Sequence, residues 1–288
     1  MNILVTGSHG QLGTEMQQIA QTCFGAETVW HFTDIEDLDI TDAAAIQQFV
    51  TEKNIHFIVN CAAYTAVDKA EAQEDLCRKV NAVAPGLLAE AIAQRNGGMI
   101  HISTDYVFDG TACRPYTEDY ATAPKSAYGR TKLEGEQNVM QACPNSVILR
   151  TAWLYSPYGN NFVKTMLRLG REKQTLGVVA DQIGTPTSAH TLAQAIAAIL
   201  KKGIVPGIYH FSNEGVTSWY DFTCAIHDMA GITSCHVRPI HTEDYPTPAH
   251  RPAYSVLDKT KIKETYQIDI PWWQDALRAC LKELGEIQ

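Results

Sequence analysis

Short apolar runs alternate with amphipathic stretches through the first two-thirds of the chain. Asn2–Thr6, Thr28–Thr33, Phe57–Cys61, Met99–Ser103 and Val147–Thr151 have strand length and β-rich composition. Between them, Leu12–Gln21, Ala43–Lys53, Pro85–Arg95 and Ala127–Ala142 read as helices. This alternation predicts an α/β fold, a doubly wound, mainly parallel sheet with helices on both faces. Asn2-Ile-Leu-Val and Phe57-Ile-Val are continuously apolar, as expected of strands covered on both sides.

After about Trp153 the pattern loosens. Asn160–Glu172 predicts a helix, Gly184–Thr187 a turn, and the following segment a helix through Leu200. Gly207–Ser212 reads as a strand placed to return to the main sheet, and Trp219–Ala230 and Trp273–Leu284 as helices around the Pro-rich stretch Pro239–Pro252. The expected organisation is interleaved: residues 1–152 and 178–214 in a main domain, 153–177 and 215–288 in a smaller C-terminal substrate lobe.

Composition narrows the function classes. The 288 residues are 45% hydrophobic and 19% charged, ordinary for a soluble domain. A net charge of −9 without a basic run argues against a nucleic-acid partner. No segment reaches the ~20 apolar residues of a membrane span. The N-terminus lacks the basic region and cleavage site of a signal peptide and reads as a strand. Eight scattered cysteines form no Cys-x-x-Cys pair, so buried reduced thiols and a cytoplasmic protein are expected.

Thr6-Gly-Ser-His-Gly-Gln-Leu-Gly13 follows the first strand and opens the first helix. Gly7, Gly10 and Gly13 match a dinucleotide loop: one glycine turns the chain, one admits the pyrophosphate to the backbone, and one lets helix and strand pack. The helix N-terminus then favours anionic phosphates. The spacing is Gly-x-x-Gly-x-x-Gly, and its position between strand and helix gives it weight. Asp34 ends the second strand, where a carboxylate accepts hydrogen bonds from the ribose hydroxyls of NAD(H); a turn or helix-entry role fits it equally. Asp39 begins Asp39-Ile-Thr-Asp42, in which Thr41 or Asp42 caps the next helix.

Tyr128 and Lys132 stand four residues apart in Ser126-Ala-Tyr-Gly-Arg-Thr-Lys132 and share one helical face. A cation beside a phenol lowers its pKa, which makes the tyrosine a proton donor to a carbonyl oxygen. Ser103-Thr104-Asp105 ends a strand upstream.

In this order, the glycine loop, Asn60-Cys-Ala-Ala63, Ser103-Thr104 and Tyr128-x-x-x-Lys132 resemble the extended short-chain dehydrogenases/reductases, a Rossmann-type family. Thr65-Ala-Val-Asp-Lys-Ala-Glu71, Val80-Asn-Ala82, Arg150-Thr-Ala-Trp-Leu-Tyr155, Gly159-Asn-Asn-Phe162 and Asp181-Gln-Ile-Gly-Thr-Pro186 narrow the resemblance to the dTDP-4-dehydrorhamnose reductases, over essentially the whole chain. That resemblance implies hydride transfer from NADPH or NADH to C4 of a dTDP-4-keto-6-deoxy sugar. Tyr128 would deliver the proton, Lys132 would hold the nicotinamide ribose and depress the tyrosine pKa, and Thr104 would bond the carbonyl. Cofactor contacts carry over to Gly10, Gln11, Leu12, Asp39, Ile40, Ala63, Tyr64 and Thr65, and substrate contacts to Thr104, Asp105 and Trp153. Val67, Asn161, Gln182 and Arg251 are further substrate candidates, Arg251 because a diphosphate suits a planar cationic fork. The resemblance also allows Mg2+, with Glu283 as its candidate ligand against a solvated helix face, and a homodimer. His236, His241, Asp244 and His250 fit no compact metal pattern. Two other readings stay open: another nucleotide-sugar 4-ketoreductase or epimerase, and a non-catalytic regulatory subunit like that of methionine adenosyltransferase.

Overall fold

The computed structural model describes residues 1–288. β1 (Asn2–Thr6), α1 (Gln11–Cys23), β2 (Val29–Thr33), α2 (Ala43–Glu52) and β3 (Phe57–Asn60) open the chain. α3 (Val67–Ala70) and α4 (Glu74–Arg78) follow, and α4 runs through a π turn, Lys79–Val83, into α5 (Ala84–Ala93). β4 (Gly98–Thr104), a 3-10 turn at Asp105–Val107, α6 (Ala127–Ala142) and β5 (Ser146–Thr151) complete the first part. Then come β6 (Leu154–Tyr155), α7 (Phe162–Glu172), β7 (Thr175–Val179), β8 (Ile183–Gly184), β9 (Thr187–Ser188), α8 (Ala189–Lys202) and β10 (Gly207–His210). β11 (Thr217–Ser218), α9 (Trp219–Met229), β12 (His236–Ile240), α10 (Thr260–Tyr266) and α11 (Trp273–Glu283) end it.

Six strands form one sheet in the order β10-β5-β4-β3-β1-β2, every pairing parallel. The strand Gly207–His210 does return to this sheet, beside β5. From β1 the chain goes to β2 on one side and later to β3 on the other. The order therefore reverses at β1/β3, and the crevice beyond the carboxyl ends there is where ligands bind in such sheets.

Alternate side chains of each strand enter opposite cores. Ile3, Val5, Val59, Ile100, Val147 and Leu149 pack with Leu12, Met16 and Ile19 of α1 and Leu192, Ile196 and Ile199 of α8. Leu4, Ile58, Met99 and Ile148 pack on the other face with Ile46 and Val50 of α2, Leu88 and Ile92 of α5, and Val139 of α6. A third cluster, centred on Phe222, Ile226, Leu277 and Leu281, joins α7, α9 and α11.

Local chemistry sets several helix starts. Asp42, rather than Thr41, caps α2, its carboxylate accepting from Ala44 N and Ala45 N at 2.9 and 3.1 Å. Ser126 caps α6 through Gly129 N at 3.1 Å, and Asn161 caps α7 through Lys164 N at 3.2 Å.

Several elements lie outside the patterns read from sequence, α4, β7, β12 and α10 among them. α4 carries charges with no apolar stripe, and ion pairs from Arg78 to Glu134 and from Arg130 to Glu74 hold it against α6. β7 and β12 pair with each other, and their partly exposed residues, Pro239 among them, show no alternation. α10 is a two-turn helix after the Pro-rich stretch.

Candidate active site

A cavity of about 870 Å³ runs along the carboxyl ends of β1, β3 and β4. Its size is at the upper end of small-molecule sites. One end is the loop between β1 and α1. Gly7 has φ +66°, and a Cβ there would lie 2.7 Å from the Ala62 backbone. A Cβ on Gly13 would drive into the Gly7 carbonyl and sit 2.6 Å from Ser8 Cα. No side chain caps α1, whose Gly10 N-cap is extended, so its first amides are free for an anion. This cradle fits the diphosphate of a dinucleotide.

Asp34 stands at the wall beside the loop. Its Oδ2 accepts the His9 N–H and its Oδ1 the Ile35 N–H, both at 2.9 Å. The carboxylate is therefore a loop anchor, and each oxygen retains further acceptor capacity. Asp39 is held in a turn by Thr41, whose N–H and hydroxyl donate to Oδ1 at 2.8 and 2.7 Å; these bonds hold its carboxyl below the usual range.

Thr104, Tyr128 and Lys132 meet at the other end. Thr104 ends β4, and its hydroxyl donates to Asp105 Oδ1 at 2.9 Å and accepts the Tyr106 N–H at 3.2 Å. Lys132 is buried and donates to the Ile102 carbonyl at 2.5 Å; desolvation pulls it down to about 8. Burial raises the Tyr128 phenol above its ordinary value, with the Thr104 hydroxyl pulling the other way. This corrects the expectation that Lys132 depresses the phenol. The ammonium is committed to a β4 carbonyl, and desolvation dominates the phenol. Tyr106 meets the Tyr128 ring edge-on at 5.6 Å. Asp105 is buried, and desolvation lifts its carboxyl to about 6 against hydrogen bonds from Ser255 and Thr104.

Trp153 closes the wall opposite. Its φ is +50°, a conformation that costs a bulky residue on the order of 1–3 kcal/mol. The surroundings hold it there. Its indole stacks on Trp219 at 3.5 Å between centroids, its carbonyl accepts the Thr187 N–H at 3.1 Å, and Gly184 leaves room for the ring.

The cavity thus gathers Gly7, Gly10, Gln11, Leu12, Gly13, Asp34, Asp39, Ile40, Ala63, Thr65, Val67, Thr104, Asp105, Tyr128, Lys132, Trp153 and Asn161. Asn161 also ties α7 to the loop, donating to Gln11 Oε1 at 3.0 Å and Ser156 O at 2.7 Å. Three expected residues stand outside the lining. Tyr64 is locked to Asn81 by its backbone and to Gln73 by its hydroxyl at 2.7 Å. Gln182 donates to Thr242 at 3.1 Å. Arg251 is engaged by Asp68 at 2.7 Å and by the Tyr106 hydroxyl at 3.2 Å, one side chain behind the wall.

The surroundings of Glu283 do not fit Mg2+. Its Oε1 accepts the Tyr158 phenol at 2.9 Å, and the one group of three ligating side chains within mutual reach is His9, Asp34 and Glu36, beside the loop. Mg2+ asks for near-octahedral oxygen coordination. Tyr106, which lines the cavity, and Trp219, which backs the Trp153 indole, are among the residues that sequence reasoning passed over. Tyr106 directly follows Ser103-Thr104-Asp105, whereas nothing local marks Trp219, which meets Trp153 only in the fold.

A glycine-loop crevice at the reversal of a parallel sheet, joined to a Thr-Tyr-Lys set, defines a nucleotide-dependent oxidoreductase of the short-chain type. The chain belongs to the family described as RmlD substrate binding domain, whose model matches residues 1–286. It is 42% identical over 286 residues to a dTDP-4-dehydrorhamnose reductase of Aggregatibacter actinomycetemcomitans, covering 96% of this chain and 97% of the relative. It is 41% identical over 286 residues to a probable dTDP-4,6-dihydroxy-2-methyloxan-3-one 4-ketoreductase of Streptomyces antibioticus, covering 99% and 96%. The solved dTDP-4-dehydrorhamnose reductase of Bacillus anthracis in complex with NADP superposes with a TM-score of 0.92 at 38% identity, covering 98% of this chain and 99% of that one.

Proposed function

We propose that the protein reduces dTDP-4-dehydrorhamnose to dTDP-L-rhamnose with NAD(P)H. The observation that carries this reading is the convergence of Thr104, Tyr128 and Lys132 on the cavity that begins at the glycine loop, in a chain of the reductase family. The reduced nicotinamide supplies a hydride when bound. The free first-turn amides of Gln11 and Leu12 hold the diphosphate against the α1 N-terminus, where Gly10 N already donates to the Gly7 carbonyl, and Lys132, as a cation, holds the nicotinamide ribose. Tyr128 gives its phenolic proton to the sugar C4 oxygen. The raised pKa suits this direction of reaction: the phenol is fully protonated near neutrality, and an alkoxide is a stronger base than a phenolate. The Thr104 hydroxyl orients the carbonyl beside the phenol once its one proton turns from Asp105 Oδ1 to the substrate. Trp153 offers the sugar a flat apolar wall; Tyr106 braces the Tyr128 ring and Trp219 braces the Trp153 indole.

A second reading has a specific basis. The Streptomyces antibioticus relative, named for a different dTDP-sugar ketone, is nearly as similar as the rhamnose-pathway relative. Both readings share dTDP-sugar 4-ketone reduction and divide on the sugar ring. The test is NAD(P)H consumption by the purified protein with each ketone. Faster turnover of dTDP-4-dehydrorhamnose supports the first reading, a preference for the other ketone supports the second, and no turnover of either sinks both.

A further inference from the structure

Beneath the cavity lies an ion pair that the chemistry above does not use. Glu136 of α6 and Arg150 of β5 are 1% and 2% exposed. Arg150 donates Nε to Glu136 Oε1 at 2.9 Å and Nη2 to Oε2 at 2.7 Å, a bidentate fork. The Ser103 hydroxyl donates to Oε1 at 2.5 Å. Ser103 precedes Thr104, and Glu136 follows Lys132 by one helical turn on the same face. α6 therefore grips the end of β4 twice: Lys132 takes the Ile102 carbonyl and Glu136 takes the Ser103 hydroxyl.

We propose that Glu136, clamped by Arg150, is the positioning residue of the proton-delivery site: it fixes the β4 end that carries Thr104 and supplies the negative charge that keeps Lys132 a cation. The inference rests on the reading of Lys132 as the lysine that holds the cofactor. The charges facing Lys132 leave this role to Glu136. Tyr128 on the same helix is a neutral phenol, and Cys77 of α4 is a thiol held protonated by burial. His101 of β4 is driven neutral by burial and by Lys132 itself. Arg150 adds a second buried cation, so two cations share one carboxylate, and Arg150 Nη1 has no partner. Beyond it His210, pushed down to about 3, contributes no charge. Glu136 raises the proton affinity of Lys132, opposing the desolvation that lowers it.

The arrangement predicts shifts of opposite sign. Glu136→Gln leaves two buried cations without an anion. The alkaline limb of NADPH binding, expected near pH 8 where Lys132 loses its proton, should move down by at least about one pH unit. Arg150→Met frees the carboxylate for Lys132 and should move the limb up. Glu136→Asp keeps the charge but loses the reach to Ser103 and the fork; its limb should stay near wild type while kcat falls. The measurement is the NADPH dissociation constant from fluorescence titration across pH, on each full-length variant. A merely structural pair would lower stability and leave all the limbs where they are. Unmoved limbs, or shifts of the same sign in the Gln and Met variants, would overturn the proposal. Where one variant fails to fold, the direction of the other's shift decides. Wild-type protein that binds neither NADPH nor NADH would instead count against the oxidoreductase reading.

Discussion

Gly184→Ala isolates the sugar side of the cavity from the cofactor side. A Cβ at Gly184 would lie 2.7 Å from Cε2 and Cζ2 of Trp153 and 2.8 Å from Ser255 Oγ. Ordinary carbon contacts begin near ~3.4 Å, so the indole must retreat by about 0.7 Å. Trp219 already stacks on it within 10° of parallel, which leaves the cavity as the open direction. Overpacking of this kind costs about 1–3 kcal/mol of stability. A reactant misplaced by nearly 1 Å loses on the order of 10- to 100-fold in rate. The expected result is therefore a lowered Tm, a drop of that order in kcat/KM for the sugar nucleotide, and an NADPH dissociation constant unchanged within about twofold. Steady-state kinetics with the ketone and a separate fluorescence titration with NADPH check it. If kcat/KM for the sugar stays at the wild-type value while Tm falls, Trp153 is a packing residue and the wall is elsewhere. An equal loss of NADPH affinity would show that the two halves of the cavity are not separable.

Three further outcomes follow from the same geometry. Tyr128→Phe keeps the ring against Tyr106 and removes only the hydroxyl, so kcat should fall by about 10²- to 10⁴-fold with cofactor affinity retained; wild-type kcat would mean that another group delivers the proton. Lys132 is a cation below about 8 and neutral above, so kcat/KM for the cofactor should be level at neutral pH and decline as pH rises through about 8; a profile flat to pH ~10, the range of an ordinary lysine, would contradict the assigned role. Asp34→Ala should raise KM for NADH more than for NADPH if the carboxylate faces the ribose, whereas equal effects on both would assign it only to anchoring the His9 and Ile35 amides.

The six-stranded sheet was legible because both faces of β1, β3 and β5 are buried, which writes continuous apolar runs into the sequence. The glycine loop was legible for a similar reason: Gly7 and Gly13 stand where no Cβ fits. β7, β12 and α4 were not legible. Their partners are distant in sequence, each other for β7 and β12 and the α6 face that buries Cys77 for α4, and this leaves no local period. The site divides in the same way. Tyr128, Lys132 and Thr104 were found from spacing and resemblance, but the direction of the phenol's pKa was not. That depends on desolvation and on where the Lys132 ammonium points, neither of which is visible before the fold. Tyr64 was expected in the site by resemblance and Arg251 on chemistry, yet hydrogen bonds to Asn81, Gln73 and Asp68 occupy them.

The central claim is that one hydride passes from the cofactor to C4 of the sugar while Tyr128 supplies the proton. It is tested most directly with NADPH deuterated at the transferring position and dTDP-4-dehydrorhamnose, followed by NMR of the sugar product. The account predicts dTDP-L-rhamnose carrying one deuterium at C4, formed in step with cofactor oxidation. A product without deuterium at C4, or a sugar rearranged with no cofactor consumed, would contradict it.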